Sequence, residues 1–381
     1  TRHPTRSPLA LALDACLGAI EDAGLTRAAI AGLATYPGAV SMSPGFSVAG
    51  VTEIQDALRL KLNWYSGSPE TAGQLGSVVE GCLAIAAGLA NNVLCFRAVG
   101  EVSAQKGQGR AETMKALAGG GNRVPAGSFS EWTAPFGGVS PVNLFAMYTQ
   151  RYFTEYGMTR EQLAQVALND RKHAALNPAA VYRDPLSLDQ YMDARMISSP
   201  LCLYDCDVPI DGATAIVLSR ADHTQDLRRS PIRIEAVGTA QHDRAIWEQV
   251  EDLTVSSARD AGAMLWSRTD LHPSDVDVAE IYDGFSIEQI TWLEGLQFCG
   301  HGEAGSFIDG GHRIDLDGEL PVNTHGGQLS EGRTHGYGFL HEACVQLRGE
   351  GGPRQVPNAD VALASAGGGT FCGCLLLTTG R

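Results

Sequence analysis

Apolar positions recur along this chain in two rhythms, one of period near 3.6 and one of unbroken short runs, and the points where each rhythm stops mark the elements. From Leu9 to Ala23, LALALDACLGAIEDA has helical spacing and ends at Gly24, a natural C-terminal cap. The next stretch, LTRAAIAGLATYPG, reads as a short turn leading into a strand. Ser77 to Ala98, SVVEGCLAIAAGLANNVLCFRA, predicts a helix, a Gly-Leu-Ala-Asn turn and an apolar strand. Much later the same plan returns. Ser256 to Ser267 reads as a helix, and TDLHPSDVDVAEIYDG as a turn, a strand and a second turn. From Phe339, FLHEACVQLRG is helical and stops at Gly349; the strand ADVALAS and the run Gly367-Gly368-Gly369 follow. Helix-then-buried-strand units imply a sheet covered by helices, and their recurrence implies an internal duplication.

Between the two sets lies an insertion at about residues 105–200. Within it Asn143 to Tyr156 forms an aromatic-rich helix, and Thr159 opens another with Thr-Arg-Glu-Gln as a capping box. NPAAVYRDPLSLDQYMDARMI is interrupted by proline and helical in its second half. Asp211-Gly212 makes a turn before the strand ATAIVLS. The polar run RADHTQDLRRSP then suits an exposed connector, placing the halves at 1–230 and 231–381.

A chain of 381 residues with 44% hydrophobic and 19% charged residues has the makings of a large core. Its net charge of −15 opposes nucleic acid and anionic membrane surfaces. No apolar run is long enough to span a bilayer and no signal peptide is evident, so the expected location is cytoplasmic. Nine cysteines without a framework read as reduced thiols, and CLYDC lacks the second ligand pair a zinc site needs.

The chemistry concentrates between Pro321 and Phe339, PVNTHGGQLSEGRTHGYGF, which reads as a loop because no helix or strand interior tolerates so many glycines. A glycine-rich polar loop feeding a helix suits an anion or oxyanion. Arg333 could hold a carboxylate or thioester oxygen, and His335 or His325 could move protons near neutral pH. AEIYDGFS places Tyr282 and Asp283 directly after a strand. Tyr282 could act as acid or base if neighbours lowered its pKa, and Asp283 could be either a helix N-cap or a catalytic carboxylate. Gly367, Gly368 and Gly369 could offer backbone N–H groups to an oxyanion. No hydrolase elbow, Walker loop or dinucleotide fingerprint stands after a strand.

NTHGGQLSEGRTHG resembles the thiolase signature loop Asn-x-x-Gly-Gly-x-x-x-x-Gly-His-Pro-x-Gly; YDGF occupies the place of Asn-Glu-Ala-Phe, and SAGGG that of Cys-x-Gly-Gly-Gly. The segment from YGMTREQLAQ to DGATAIVL resembles the sterol-carrier-protein-type thiolases and lipid-transfer proteins. The resemblance covers nearly the whole chain. It implies an α/β thiolase fold, with duplicated βαβαβαββ halves in an α-β-α-β-α layering and a loop and helical insertion, lacking only the first expected strand.

Departures from the thiolase pattern decide the expected activity. SPETAGQLGSVVEG lacks the nucleophilic cysteine, Cys82 lies too far along its helix, Arg333 replaces the Gly-His-Pro histidine with His335 displaced by two, and Ser365 replaces the second catalytic cysteine. The chain looks most like the steroid side-chain-cleaving aldolases, in which a tyrosine stands where thiolases have asparagine, as Tyr282 does here. A second tyrosine is expected near the Gly-His-Pro region, where this chain has Arg333 and, four residues on, Tyr337. The resemblance implies retro-aldol cleavage of a β-hydroxyacyl-CoA to a ketone plus propionyl-CoA or acetyl-CoA, with CoA as part of the substrate and no covalent cofactor. It also implies a homodimer with a separate small OB-fold, acyl-CoA-associated partner. The competing readings are a non-catalytic acyl-CoA or sterol-binding homologue and an acyltransferase with an unrecognised nucleophile.

Overall fold

The computed structural model describes residues 1–39, 44–105, 134–138, 140–224, 227–241 and 250–379, so part of the expected insertion, 106–133, lies outside the described residues. Among the described residues ten strands follow in chain order: β1 Gly32–Thr35, β2 Trp64–Gly67, β3 Asn92–Gly100, β4 Met196–Ser198, β5 Leu201–Cys202, β6 Asp211–Ser219, β7 Arg233–Ala240, β8 Val278–Glu280, β9 Val361–Ala366 and β10 Cys372–Thr378. They form two four-stranded sheets, β2-β1-β3-β6 and β7-β10-β9-β8, with β4 and β5 as a small separate pair.

The duplication is visible strand by strand. β1 runs parallel to β3, which pairs antiparallel with β6; β8 runs parallel to β9, which pairs antiparallel with β10. β2 flanks β1 in parallel, and in the other half Val322 bridges Ala279 in parallel at the matching place. β7 lines the far side of β10, whereas no strand among the described residues lies beyond β6. β3, β9 and β10 are buried almost throughout, which is why they read as unbroken apolar runs.

Helices complete five layers. Pro8–Asp22, capped by the Ser7 hydroxyl on the Ala10 amide, packs on β6 and β3, and Val51–Leu58 packs on β1 and β2. Gly76–Ala86 and Gly336–Leu347 fill the space between the sheets, and Ala258–Trp266 covers β7 and β10. The capping box predicted at Thr159 is present: its hydroxyl accepts from the Gln162 amide at 3.2 Å and its own amide donates to Gln162 Oε1 at 3.1 Å.

One expected boundary moves. The segment 321–339 is not loop throughout: Gly327–Glu331 makes a π-helical turn, and the helix expected from Phe339 already starts at Gly336. Close packing explains the glycine at this start, because a Cβ on Gly336 would lie 2.3 Å from Ala366 Cβ of β9 and 3.0 Å from Leu75. Here glycine admits a neighbour rather than breaking a helix.

Candidate active site

Three chain segments converge where β8 ends, β9 ends and the Gly76–Ala86 helix begins. Asn323, in a left-handed conformation (φ 52°), ties the signature segment to the β8 exit by accepting from the Ile281 amide at 2.7 Å and donating to Gln289 Oε1 at 3.1 Å. Asp283 accepts from the amides of Gln328 at 2.9 Å and Leu329 at 3.3 Å, so it holds the same segment from the other side. It is not the N-cap of the following helix. That position belongs to Phe285, whose amide donates to Glu288 Oε2 at 2.8 Å. Asp283 shares its buried site with Asp170; burial raises both carboxyls, and repulsion from Asp283 pushes Asp170 well above the usual range.

The three basic residues of the segment are each committed to protein partners. Arg333 forks between two buried carboxylates: Nη1 reaches Asp207 at 2.8 and 3.1 Å, Nε reaches Glu101 at 3.0 Å, and Nη2 also bonds Glu101. Burial opposes its charge, but Asp207 and Glu101 outweigh burial and raise its pKa. The expected substrate clamp is therefore, in this structure, occupied by the chain's own acids. His325 pairs with Glu280 at 2.8 Å and faces Glu331 at 3.6 Å. Burial again opposes the charge, and the two glutamates overcome it, lifting the imidazole to about 9. His335 (φ 54°) bonds Arg97 at 3.2 Å through Nδ1 and meets the Phe46 ring edge-on at 4.8 Å.

Arg97 is a site residue that the sequence reading passed over. It is fully buried in β3, donates to Phe46 O at 2.6 Å and Ala98 O at 3.0 Å, and lies 4.7 Å from the Phe46 ring centre. Burial lowers it to about 10. The clue was present: one arginine inside the apolar run NVLCFRAVG must find a specific partner.

The two tyrosines approach the start of the Gly76–Ala86 helix. Tyr337 lies in the first turn of its own helix and its hydroxyl meets Ser77 Oγ at 2.7 Å. The Tyr282 amide donates to Ser365 Oγ at 2.9 Å, and its hydroxyl accepts from Gln74 Nε2 at 3.4 Å. Burial first, then Glu288 and Asp207, push the Tyr282 phenol well above its ordinary value, with Arg333 and Gln328 opposing. The lowered pKa that would make Tyr282 a free-standing base is thus absent, and the group needs an acceptor for its proton. Gly73 (φ +60°) packs on the glycine run, where a Cβ would lie 2.5 Å from Ala366 O. Trp292 Nε1 donates to Gly367 O at 2.8 Å and the Ser257 amide to Gly369 O at 2.9 Å, which holds Gly367, Gly368 and Gly369 in place.

A cavity of about 850 Å³ adjoins this cluster, lined by Phe145, Tyr148, Tyr152, Ile287, Glu288 and Gly369 among others. Its size and aromatic wall suit a bulky ligand. Tyr282 and Tyr337 do not line it; it meets the cluster at Glu288, Gly369 and Thr370. All nine cysteines are unbridged. Cys82 lies within the Gly76–Ala86 helix, where burial raises it to about 11 and keeps it a thiol. No cluster suited to a metal ion occurs among the described residues, and no described helix is long and apolar enough to cross a membrane.

Comparison with known proteins places this geometry. Residues 238–377 match the family described as thiolase C-terminal domain-like. A steroid side-chain-cleaving aldolase of Thermomonospora curvata is 35% identical, with 100% of this chain and 95% of the relative covered. The 17-hydroxy-3-oxo-4-pregnene-20-carboxyl-CoA lyase of Mycobacterium tuberculosis is 33% identical, covering 99% and 96%. Among solved structures, the Ltp2-ChsH2(DUF35) aldolase superposes with a TM-score of 0.87 at 32% identity, covering 100% of this chain and 95% of that one. A monomeric SCP2-thiolase-like protein of Mycobacterium smegmatis shares the fold, with a TM-score of 0.73 at 16% identity, covering 100% and 75%.

Proposed function

This chain belongs to the thiolase superfamily, among its steroid side-chain-cleaving aldolases, and we propose that it cleaves a steroid β-hydroxyacyl-CoA by a retro-aldol reaction. The products are a steroid ketone and propionyl-CoA or acetyl-CoA, with CoA entering as part of the substrate. The observation that carries the reading is full-length similarity to two carbon–carbon-cleaving enzymes, together with a stretch before the Gly76–Ala86 helix that holds no thiol. The cysteine thiolate that thiolase-type acyl transfer uses is absent there.

In this reading Tyr282 relays the β-hydroxyl proton away as the carbon–carbon bond breaks, and the electron pair passes into the thioester enolate. Backbone N–H groups of Gly367, Gly368 and Gly369 hold the enolate oxygen, and Tyr337 protonates its carbon. Arg97 contributes positive charge nearby, and His335, which accepts from it through Nδ1, holds it in place. Arg333, Asp283 and His325 act by positioning: their partners lie within the protein, and they hold the signature segment in shape.

The chain also works as a homodimer with a separate small OB-fold protein. Support for the second component is the solved Ltp2-ChsH2(DUF35) aldolase, a relative whose name pairs Ltp2 with ChsH2(DUF35). The test incubates the chain, with and without a co-purified partner of that type, with 17-hydroxy-3-oxo-4-pregnene-20-carboxyl-CoA. The expected outcome is steroid ketone plus propionyl-CoA, with Tyr282→Phe slowing kcat by about 10²- to 10⁴-fold. Binding of the thioester without turnover would instead identify a non-catalytic homologue, and a covalent acyl adduct would identify a transferase.

A further inference from the structure

The cavity and the tyrosine pair do not meet directly, and one carboxyl group stands between them. Glu288 lies in the first turn of the Ser286–Gly295 helix and lines the 850 Å³ cavity beside Ile287, Gly369 and Thr370. Its Oε2 accepts from the Phe285 amide at 2.8 Å, which locks the side chain. Two glycines make the room it occupies. A Cβ on Gly284 would lie 2.6 Å from Glu288 Oε2 and 3.3 Å from the Tyr282 hydroxyl, so both oxygens border the same point. A Cβ on Gly368 would fall 1.6 Å from Glu288 Oε1, so the other oxygen rests against the glycine run.

A capping box alone does not account for this placement. Such glutamates ordinarily sit at exposed helix starts, whereas this one is almost fully buried. The charged and titratable groups facing it are Asp207, Asp283 and Tyr282, with Cys372 of β10. Burial first, opposed by the Phe285 hydrogen bond and reinforced by the two aspartates, raises its carboxyl well above the usual range. Tyr282 meanwhile is a neutral phenol that requires an acceptor.

We propose that Glu288 is the proton terminus of the site, the carboxylate to which Tyr282 passes the substrate's β-hydroxyl proton. The inference rests on the retro-aldol reading. The substrate hydroxyl gives its proton to the Tyr282 oxygen as Tyr282 gives its own to Glu288. The hydroxyl oxygen becomes the ketone oxygen, the carbon–carbon bond breaks, and its electron pair forms the thioester enolate. The enolate carbon takes a proton from Tyr337, which is reprotonated from water, and Glu288 releases its proton into the cavity once product leaves. No oxidant, reductant or outside reagent is consumed.

The experiment compares wild type, Glu288→Gln and Tyr282→Phe, each with its co-purified partner, on 17-hydroxy-3-oxo-4-pregnene-20-carboxyl-CoA across pH. Glutamine keeps an oxygen for the Phe285 amide, so the melting temperature is expected to hold. The expected result is a fall in kcat of about 10²-fold or more with KM nearly unchanged, and loss of the acid limb of kcat/KM. A Glu288→Gln enzyme with wild-type kcat, or with the acid limb intact, overturns the proposal. Should Glu288→Gln fail to fold, the wild-type profile decides. The relay needs ionised Glu288, so activity must be lost as pH falls through a value above the ordinary carboxylate range, and a profile flat down to about pH 5 overturns it. A wild-type enzyme that binds this thioester without cleaving it fails the retro-aldol reading itself, and the inference with it.

Discussion

His325 carries a charge that the folded protein wants and the unfolded chain wants less. Its pKa rises from the ordinary 6.5 to about 9, because Glu280 and Glu331 outweigh the cost of burial. A raised folded-state pKa means that the stabilisation is fully present below about pH 6.5 and is lost as pH climbs through about 9. Thermal melts of wild type should therefore fall between those limits, and His325→Gln should be less stable at pH 6.5 yet lose less on going to pH 9.5. Equal pH slopes for the two proteins would show that the pair with Glu280 contributes nothing. At this scale the sequence displayed the side chains but hid their partners. Arg333 bonds Glu101 across 232 positions, and Arg97 meets His335 across 238. Arg333 and His325 read as candidates to meet substrate because each is a reactive group on a glycine-rich segment, and nothing local reveals the distant carboxylates. Glu288 was overlooked for the opposite reason: within FSIEQITW it looks like an ordinary first-turn acid.

Element starts were legible where a polar cap announces them and obscured where packing decides. Thr159 caps its helix through its hydroxyl as its sequence context implies, and Ser7 and Ser187 do the same at two further helix starts. Gly336 carries no such mark: it is glycine because Ala366 and Leu75 leave no room for a Cβ at the start of its helix. Gly73 poses the same issue at the entrance to the Gly76–Ala86 helix. Its φ of +60° already disfavours a side chain, and a Cβ would lie 2.5 Å from a backbone oxygen that cannot swing aside. Gly73→Ala should thus cost about 1–3 kcal/mol in denaturant unfolding. It should also lower kcat, because the displaced turn carries Gln74, the donor to Tyr282. A variant with wild-type stability and turnover would mean that this turn is looser than its contacts imply.

At the scale of the molecule, recurrence of helix-strand units exposed the duplication because each half must bury both faces of its own sheet. How two sheets and their shared central helices bring Tyr282, Ser77 and Tyr337 together was not legible, since that depends on layers meeting and not on any one period. The two sheets also differ at their margins. Among the described residues β2 pairs only with β1, and its residues alternate between half-buried and exposed, with Tyr65 68% exposed. The neighbouring Gly76–Ala86 helix presents Leu83, 64% exposed. An open strand edge flanked by large apolar groups is a template for another strand. A second copy laid antiparallel along β2 would cover both residues and join the two β2-containing sheets of the dimer into one. The proposed homodimer should then dissociate in Tyr65→Asp, which places a charge where two such edges meet, while the far-ultraviolet spectrum and melting temperature of the separated protomer report an intact fold. Sedimentation equilibrium distinguishes the outcomes: a wild-type dimer with a monomeric Tyr65→Asp supports assembly through this edge, and a dimer that persists in the variant places the interface elsewhere.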